Sequence, residues 1–290
     1  MVVSKSTKRA PALFISHGGG PFPVFIEDHE SYRQMLRDQA HYFDNVRAII
    51  LLTAHWETDQ PHITGSDNPE IFYDYDLEDM RSKLPKEAFQ IEYKGKGNSD
   101  LASSIAERLR TSGFTPVVEN RAWDHGVYVP LGIMFPDGNI PIVQMSILRG
   151  DSEQDATEKN IHLGEALEEF RDQGFAVVGS GGSCHDFSVV GAAYFDPEDK
   201  LPWPPREIQL FEDFLRDGAQ TKDQGQRLKF LRGWPEAPGR HLAHVPGSVE
   251  HLMPYIAIAA SAGNDSGRRL GQWDFKGTPY GLYMWEADSL

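Results

Sequence analysis

Several short apolar runs, each bounded by turn residues, constrain the fold of this chain more than any other feature. They cover residues 12–16, 48–53, 140–146 and 176–179. Runs of this length that lack a strict alternation of apolar and polar residues are typical of strands buried on both faces. Such strands occur mainly in sheets whose two faces are covered by helices.

Helical periodicity occupies the stretches between these runs. The predicted helices cover residues 31–42, 100–112, 155–173 and 205–217. A further helix is predicted at 247–263 with Ser248 as its N-cap, and a final strand is predicted at 281–286. Because strands and helices alternate, the chain is predicted to have an α/β fold, with a central mostly parallel or mixed sheet and helices on both faces.

Composition limits the number of domains, the location and the partners. A chain of 290 residues with 40% hydrophobic residues can bury a large core, and no linker divides it, so one domain over residues 1–290 is expected. The formal charge of −15 argues against a nucleic-acid partner. The single cysteine, an N-terminus unlike a signal peptide and the lack of a run of about 18 apolar residues favour a cytoplasmic protein without a membrane partner.

Three histidines occupy the same place relative to the predicted strands. His17 follows the first run, His55 follows the second, and His185 follows the fourth after a Gly/Ser turn. In an open α/β sheet, ligands bind beyond the carboxyl ends of the strands, so these side chains are expected to converge on one rim. One such histidine is usually an ordinary loop residue, but three in the same position indicate a metal site or an acid/base site.

Two further histidines extend this set. His125 follows Asp124, which could orient an imidazole ring, and His251 follows Glu250 in the predicted helix. Because neighbouring positions on a helix lie about 100° apart, only one of Glu250 and His251 is expected to face a metal. Imidazole and carboxylate ligands with open positions suit catalytic zinc or non-haem ferrous iron. The sequence contains neither the H-E-x-x-H pattern of zinc proteases nor a C-x-x-C pair.

The segments that contain these histidines match one family in their order along the chain. They are PALFISHGG at 11–19, TAHW at 53–56, WDHG at 123–126, PIVQMS at 141–146, GSG at 179–181 with HDF at 185–187, and EHLMP at 250–254. This ordered set resembles the class III extradiol ring-cleaving dioxygenases, and it is most similar to the DOPA extradiol dioxygenase-like branch. The α/β fold of that family is the fold predicted above.

The resemblance implies a role for each histidine. His17, His55 and His251 match metal ligands. His185 matches a residue assigned as acid/base or as a further metal contact, and His125 matches a residue that contacts substrate or oxygen. The resemblance also implies one mononuclear divalent metal, with Fe(II) expected for activity and Zn(II) as another occupant. The implied substrates are a small catechol-type aromatic diol and dioxygen.

Two other functions would use the same residues. A zinc-dependent hydrolase would activate a metal-bound water molecule and would consume no oxygen. A binding or scaffold protein would hold zinc in a closed site with four ligands. Metal identity, oxygen uptake and an open coordination position therefore distinguish the three functions.

Residues 59–97 form a long excursion with little regular periodicity, directly after the run that precedes His55. Its aromatic residues are Phe72, Tyr73, Tyr75, Phe89 and Tyr93. A long excursion inside a compact domain is often a lid or a binding loop, so this segment is predicted to form part of the pocket entrance. The alternative is a surface excursion that packs on its own aromatic residues.

Overall fold

In the computed structural model, which describes residues 9–186, 188 and 205–287, eight strands form one mixed sheet. The strands are β1 (Ala12–Ser16), β2 (Ala48–Thr58), β3 (His62–Thr64), β4 (Val117–Glu119), β5 (Ile142–Leu148), β6 (Phe175–Gly181), β7 (Ser266–Phe275) and β8 (Thr278–Glu286). Their order across the sheet is β4-β3-β5-β2-β6-β1-β8-β7. Phe187 of the HDF segment and residues 1–8 of the N-terminus lie outside the described residues.

The centre of the sheet is parallel. Strands β5, β2, β6 and β1 pair in parallel, whereas β8 pairs with β1 and β3 pairs with β5 in the antiparallel direction. The carboxyl ends of the four central strands therefore meet at one edge of the sheet. This arrangement confirms the predicted mostly parallel or mixed sheet.

Helices cover both faces of the sheet. They are α1 (Phe22–Phe25), α2 (Glu30–Arg37), α3 (Glu78–Arg81), α4 (Ser99–Thr111), α5 (His125–Met134), α6 (Glu153–Asp172), α7 (Pro205–Gln220), α8 (Gln224–Leu231), α9 (Arg240–Ala243) and α10 (Met253–Ser261). Among the described residues, no helix is long and apolar enough to span a membrane.

Alternate residues of each central strand enter two separate cores. In β1, Phe14 joins a core with residues of α4, α6 and α10, whereas Leu13 joins a core with residues of α2 and α5. Because successive side chains of a strand point to opposite faces, a strand of this kind is apolar at nearly every position. The two cores confirm the single-domain α/β fold with helices on both faces.

One helix start was predicted wrongly, and one long strand was not predicted. The helix predicted at 247–263 begins only at Met253, and its N-cap is Leu252 rather than Ser248. Pro254 stands in the first turn of α10, where a missing N–H costs nothing, so it favours a helix start there. Strand β7 was not predicted, because at the edge of the sheet only three of its ten residues are buried, and the apolar run typical of a central strand is absent.

Candidate functional site

Three histidines from distant parts of the chain converge at the edge of the sheet. His17 follows β1, His55 lies in β2, and His251 stands two residues before α10. The ring centroids are 4.7 Å apart for His17 and His55, 5.3 Å for His17 and His251, and 5.1 Å for His55 and His251. One ring nitrogen from each of the three lies within 4.8 Å of the others, a spacing that could hold a metal ion.

An irregularity in β2 carries His55 into the site. The strand was predicted to end at residue 53, but it continues to Thr58, and its register with β5 shifts between Thr53 and Glu57. His55 lies within this shift. An irregularity of this kind bends a strand and changes the direction of its side chains, which is common beside active sites.

In His17 and His251, Nδ1 points away from the other rings and donates a hydrogen bond to a protein oxygen. The hydroxyl of Ser180 donates to the carbonyl oxygen of Gly126, so its oxygen accepts from Nδ1 of His17 at 2.9 Å. The carboxylate of Glu250 accepts from Nδ1 of His251 at 2.9 Å. Both rings therefore carry their proton on Nδ1, and Nε2 is left with the lone pair that a metal needs.

Nδ1 of His55 faces two carboxylates and forms a hydrogen bond with neither. Its Nδ1 lies 3.4 Å from Oδ2 of Asp74 and 3.6 Å from Oδ1 of Asp124. Its Nε2 lies 3.1 Å from Nε2 of His251. Two nitrogens bound to one metal at about 2.0–2.1 Å each, with the angles of a tetrahedral or octahedral site, lie about 3 Å apart. The observed distance between the two Nε2 atoms therefore fits a shared divalent ion.

Burial favours the neutral, metal-binding form of two of the rings. Burial lowers the pKa of His17 and of His251 well below the ordinary value, and the neighbouring imidazoles lower both further. Burial also lowers the pKa of His55, but Asp124, Asp74 and Glu250 outweigh it and raise that pKa overall. The carboxylates beside His55 would equally stabilise a bound cation.

Glu250 contacts the side of His251 that faces away from His55. Its Oε1 lies 2.9 Å from Nδ1 of His251 and 3.4 Å from Nδ1 of His185. Burial raises the pKa of Glu250, but the hydrogen bonds from His185 and His251 lower it further than burial raises it, so the carboxylate stays ionised. This geometry favours His251 over Glu250 as the residue that faces a metal.

The lack of a side chain at Gly181 allows the segment with His251 to approach β6. The main-chain N–H of Gly182 donates to the carbonyl oxygen of His251 at 2.9 Å. A Cβ at Gly181 would lie 2.2 Å from that same oxygen. Gly181 therefore sets the distance between the strand and the histidine.

We expect Gly181→Ala to weaken metal binding by tenfold or more and to destabilise the fold by about 1–3 kcal/mol, because the added methyl group displaces His251. Metal titration and thermal unfolding measure the two effects. Gly225→Ala is the matched control, since a Cβ there meets only the Asp223 carboxylate, at 3.4 Å. Unchanged metal affinity in a folded Gly181→Ala protein would contradict the prediction.

His185 and His125 stand beside the three converging rings. The ring of His185 stacks on that of His251 with centroids 3.3 Å apart and planes 12° apart. The ring of His125 lies 4.0 Å from that of His55 and 5.3 Å from that of His17. The structure thus brings together all five histidines that the sequence singled out.

One interpretation of the sequence was that Asp124 orients the ring of His125. In the structure it does not. Asp124 is the N-cap of α5 and accepts from the main-chain N–H of Gly126 at 3.1 Å. It also accepts from Thr53 at 2.9 Å and from Gln144 at 2.5 Å. Adjacent side chains at a helix start point in different directions, and the carboxylate of Asp124 faces His55 instead.

Asp74, which contacts His125 and lies close to His55, was not predicted from the sequence. Asp74 belongs to the 59–97 excursion and lies 2.8 Å from Nδ1 of His125. A charged residue inside the aromatic run FYDYD suggests a buried partner, but Asp76 of the same run pairs with exposed Arg81. The pattern alone therefore does not identify which aspartate is buried.

The excursion contributes to the site and also packs on itself. Tyr75 lies 5.9 Å from His125, whereas Tyr73, Tyr75 and Phe89 contact one another and Tyr93 contacts Trp123. The side chain of Phe72 is 47% exposed. One short strand of the excursion, β3, joins the sheet beside β5.

Several known proteins resemble this chain. The sequence profile described as the catalytic LigB subunit of aromatic ring-opening dioxygenase matches residues 10–268. Dioxygenase tasH of Hapsidospora irregularis is 32% identical over 97% of this chain and 87% of that protein. The protein named 4,5-DOPA dioxygenase extradiol is 30% identical in Portulaca grandiflora, over 99% of this chain and 100% of that protein. The Escherichia coli K12 protein of the same name is 28% identical, over 93% of this chain and 87% of that protein.

A solved structure shares the fold. An uncharacterised protein from Escherichia coli K12 superposes with a TM-score of 0.72 and covers 95% of this chain and 99% of its own. The two sequences are 23% identical, so this likeness bears on the fold alone.

Proposed function

Because the chain belongs to the LigB family of aromatic ring-opening dioxygenases, we propose that it opens a catechol-type ring in the extradiol manner, with dioxygen as the second substrate. We assign His17, His55 and His251 as the ligands of one divalent metal. The observation that carries this assignment is the inward convergence of three imidazoles in which Nδ1 faces a hydroxyl or carboxylate partner.

A divalent ion held by these three ligands, Fe(II) for activity with Zn(II) able to occupy the same site, would supply open positions for both catechol oxygens and for dioxygen. The protein has to remove a phenolic proton when the catechol binds. We assign this step to Nε2 of His185, because Nδ1 of that ring is directed toward Glu250. The same nitrogen returns the proton later in the reaction.

His125 completes the proposed machinery. Its Nδ1 is held by Asp74, which leaves Nε2 to contact an oxygen atom of the substrate or of dioxygen. A hydrogen-bonding group fixed in advance stabilises developing charge without reorganisation during the reaction. The single cysteine of the chain accords with the proposal of a cytoplasmic enzyme.

Anaerobic reconstitution tests the proposed function. The protein is loaded with Fe(II) or with Zn(II), and oxygen uptake is measured over a panel of catechols while the ring-opened product is followed by absorbance. We expect oxygen uptake with Fe(II), in a one-to-one ratio with the catechol consumed. Ester or amide hydrolysis by the Zn(II) form without oxygen uptake would support a zinc hydrolase instead.

The excursion is proposed to form part of the pocket entrance. Replacing residues 77–87 with a short glycine linker keeps Asp74 and Tyr75, and we expect it to raise KM for large catechols severalfold while metal content stays unchanged. Steady-state kinetics with a small and a large catechol measure the effect. Identical kinetics in the folded variant would show that this part of the excursion is only a surface loop.

A further inference from the structure

Asp74, a residue of the excursion, contacts His125 and lies close to His55. Its side chain is 13% exposed. Its Oδ1 lies 3.1 Å from the main-chain nitrogen of His125 and 2.9 Å from Nδ1 of that ring, and its Oδ2 lies 2.8 Å from the same Nδ1. Oδ2 also lies 3.4 Å from Nδ1 of His55. One carboxylate therefore joins the excursion to two histidines of the site.

We propose that Asp74 is a positioning residue that acts through His125: it fixes the proton of His125 on Nδ1 and so presents Nε2 to the substrate. This inference rests on the proposed function, because it assigns a role within the same site. It makes the excursion a required part of the site in addition to a cover over the entrance.

The direction of the hydrogen bonds supports the assignment. An ionised carboxylate only accepts, so Nδ1 of His125 must be the donor toward Asp74. The main-chain N–H of His125 is the first of helix α5, where N–H groups lack partners within the helix, and Asp74 accepts that bond as well. The ring and the helix start are thus held by the same group, which leaves the ring little freedom to rotate.

The neighbouring acidic residue provides a matched control. Asp76 stands two positions further along the same segment, and both of its oxygens pair with the exposed guanidinium of Arg81. Asp76→Asn removes a carboxylate from the same segment without a contact to either histidine. A general effect of charge or of segment stability would therefore appear in both variants, whereas an effect through His125 would appear only in Asp74→Asn.

15N NMR of the His125 ring tests the proposal without an activity measurement. Protein labelled with 15N-histidine is prepared without metal, and the His125 signals are assigned from their loss in His125→Gln. We expect His125 to carry its proton on Nδ1 in the wild type and in Asp76→Asn. In Asp74→Asn, we expect His125 to lose this tautomer. A wild-type His125 with its proton on Nε2 would overturn the proposal, whether or not any variant folds.

Kinetics of the Fe(II) enzyme provide the second readout. We expect Asp74→Asn to lower kcat by on the order of tenfold to a hundredfold, with KM changed less than about threefold, as is usual for residues that orient a functional histidine. In a His125→Gln background, Asp74→Asn should lower kcat by less than about twofold, because a positioning residue has no effect without its target. Equal losses in both backgrounds would overturn the proposal.

The two readouts separate this inference from the proposed function. If the wild-type enzyme consumes no oxygen with any catechol, the proposed function fails, and the NMR result still decides the role of Asp74. If ring opening occurs and Asp74→Asn matches the wild type in tautomer and in kcat, the positioning role alone fails. Binding of a second metal ion by His55, Asp74 and His125, which lie close enough to hold one, would also overturn it.

Discussion

His55→Ala is expected to lose its bound metal and its ring-opening activity together, with kcat/KM reduced about a thousandfold or more. A metal ion supplies several kcal/mol of transition-state stabilisation, and each 1.4 kcal/mol or so corresponds to about a factor of ten in rate. Removal of His55 takes one of the three proposed ligands and leaves Asp74 and Asp124 beside an empty space. Neither carboxylate can replace the lost Nε2, because both lie on the opposite side of the ring.

His62→Ala is the control for this prediction. His62 lies in β3, close in sequence to His55, but its half-buried ring pairs with Glu119 at 2.6 Å. Metal per chain is measured after reconstitution with Fe(II) and gel filtration, and activity is measured on the same sample. A His55→Ala protein that keeps one metal per chain would remove His55 from the ligand set.

The position of most of the site follows from the sequence, because it depends on strand ends. The run before His17 is apolar except for its last residue, Ser16, and the run before His55 is apolar except for its last residue, Thr53. Parallel strands place their carboxyl ends at one edge. Proximity of the two rings could therefore be predicted without any knowledge of the loops. His251 reaches the same place from a turn before α10, and only its sequence context indicated it.

The contacts that orient the histidines could not be predicted in the same way. Asp74 bonds to His125 across 51 positions of the chain, and Ser180 bonds to His17 across 163. A strand or a helix has a period that a sequence displays, but a side-chain hydrogen bond between residues far apart in the chain has none. For Asp74, the partner depends on how the irregular excursion packs, which is decided by many weak contacts at once.

The extent of β2 illustrates the same limit within one strand. Its first six residues are buried and were predicted, whereas three of its last four residues are half-exposed. The register shift between Thr53 and Glu57 interrupts the pattern from which strands are predicted. The irregularity that places His55 in the site is therefore also the reason why the end of the strand could not be predicted from the sequence.

His185→Gln is expected to retain its fold and its metal but to lose ring opening by roughly a hundredfold or more, the typical contribution of a general acid or base. The ring of His185 stacks on His251 without standing between His251 and His55. Glu250 would still accept from Nδ1 of His251 in the variant, so the proposed ligand stays oriented. Metal content and kcat are therefore expected to separate, unlike in His55→Ala.

Three measurements distinguish a metal ligand from a catalytic base at His185. Metal per chain identifies a ligand, oxygen uptake at saturating catechol reports the reaction, and added imidazole should restore part of the activity of His185→Ala if the missing group is a base. His241→Gln, on the exposed side of nearby helix α9, is the control. A parallel fall of metal and activity would make His185 a fourth ligand, which closes one of the positions that two substrates need. Unchanged turnover would remove His185 from the reaction, and the proton acceptor would then have to be His125, the other proposed catalytic histidine beside the ligands.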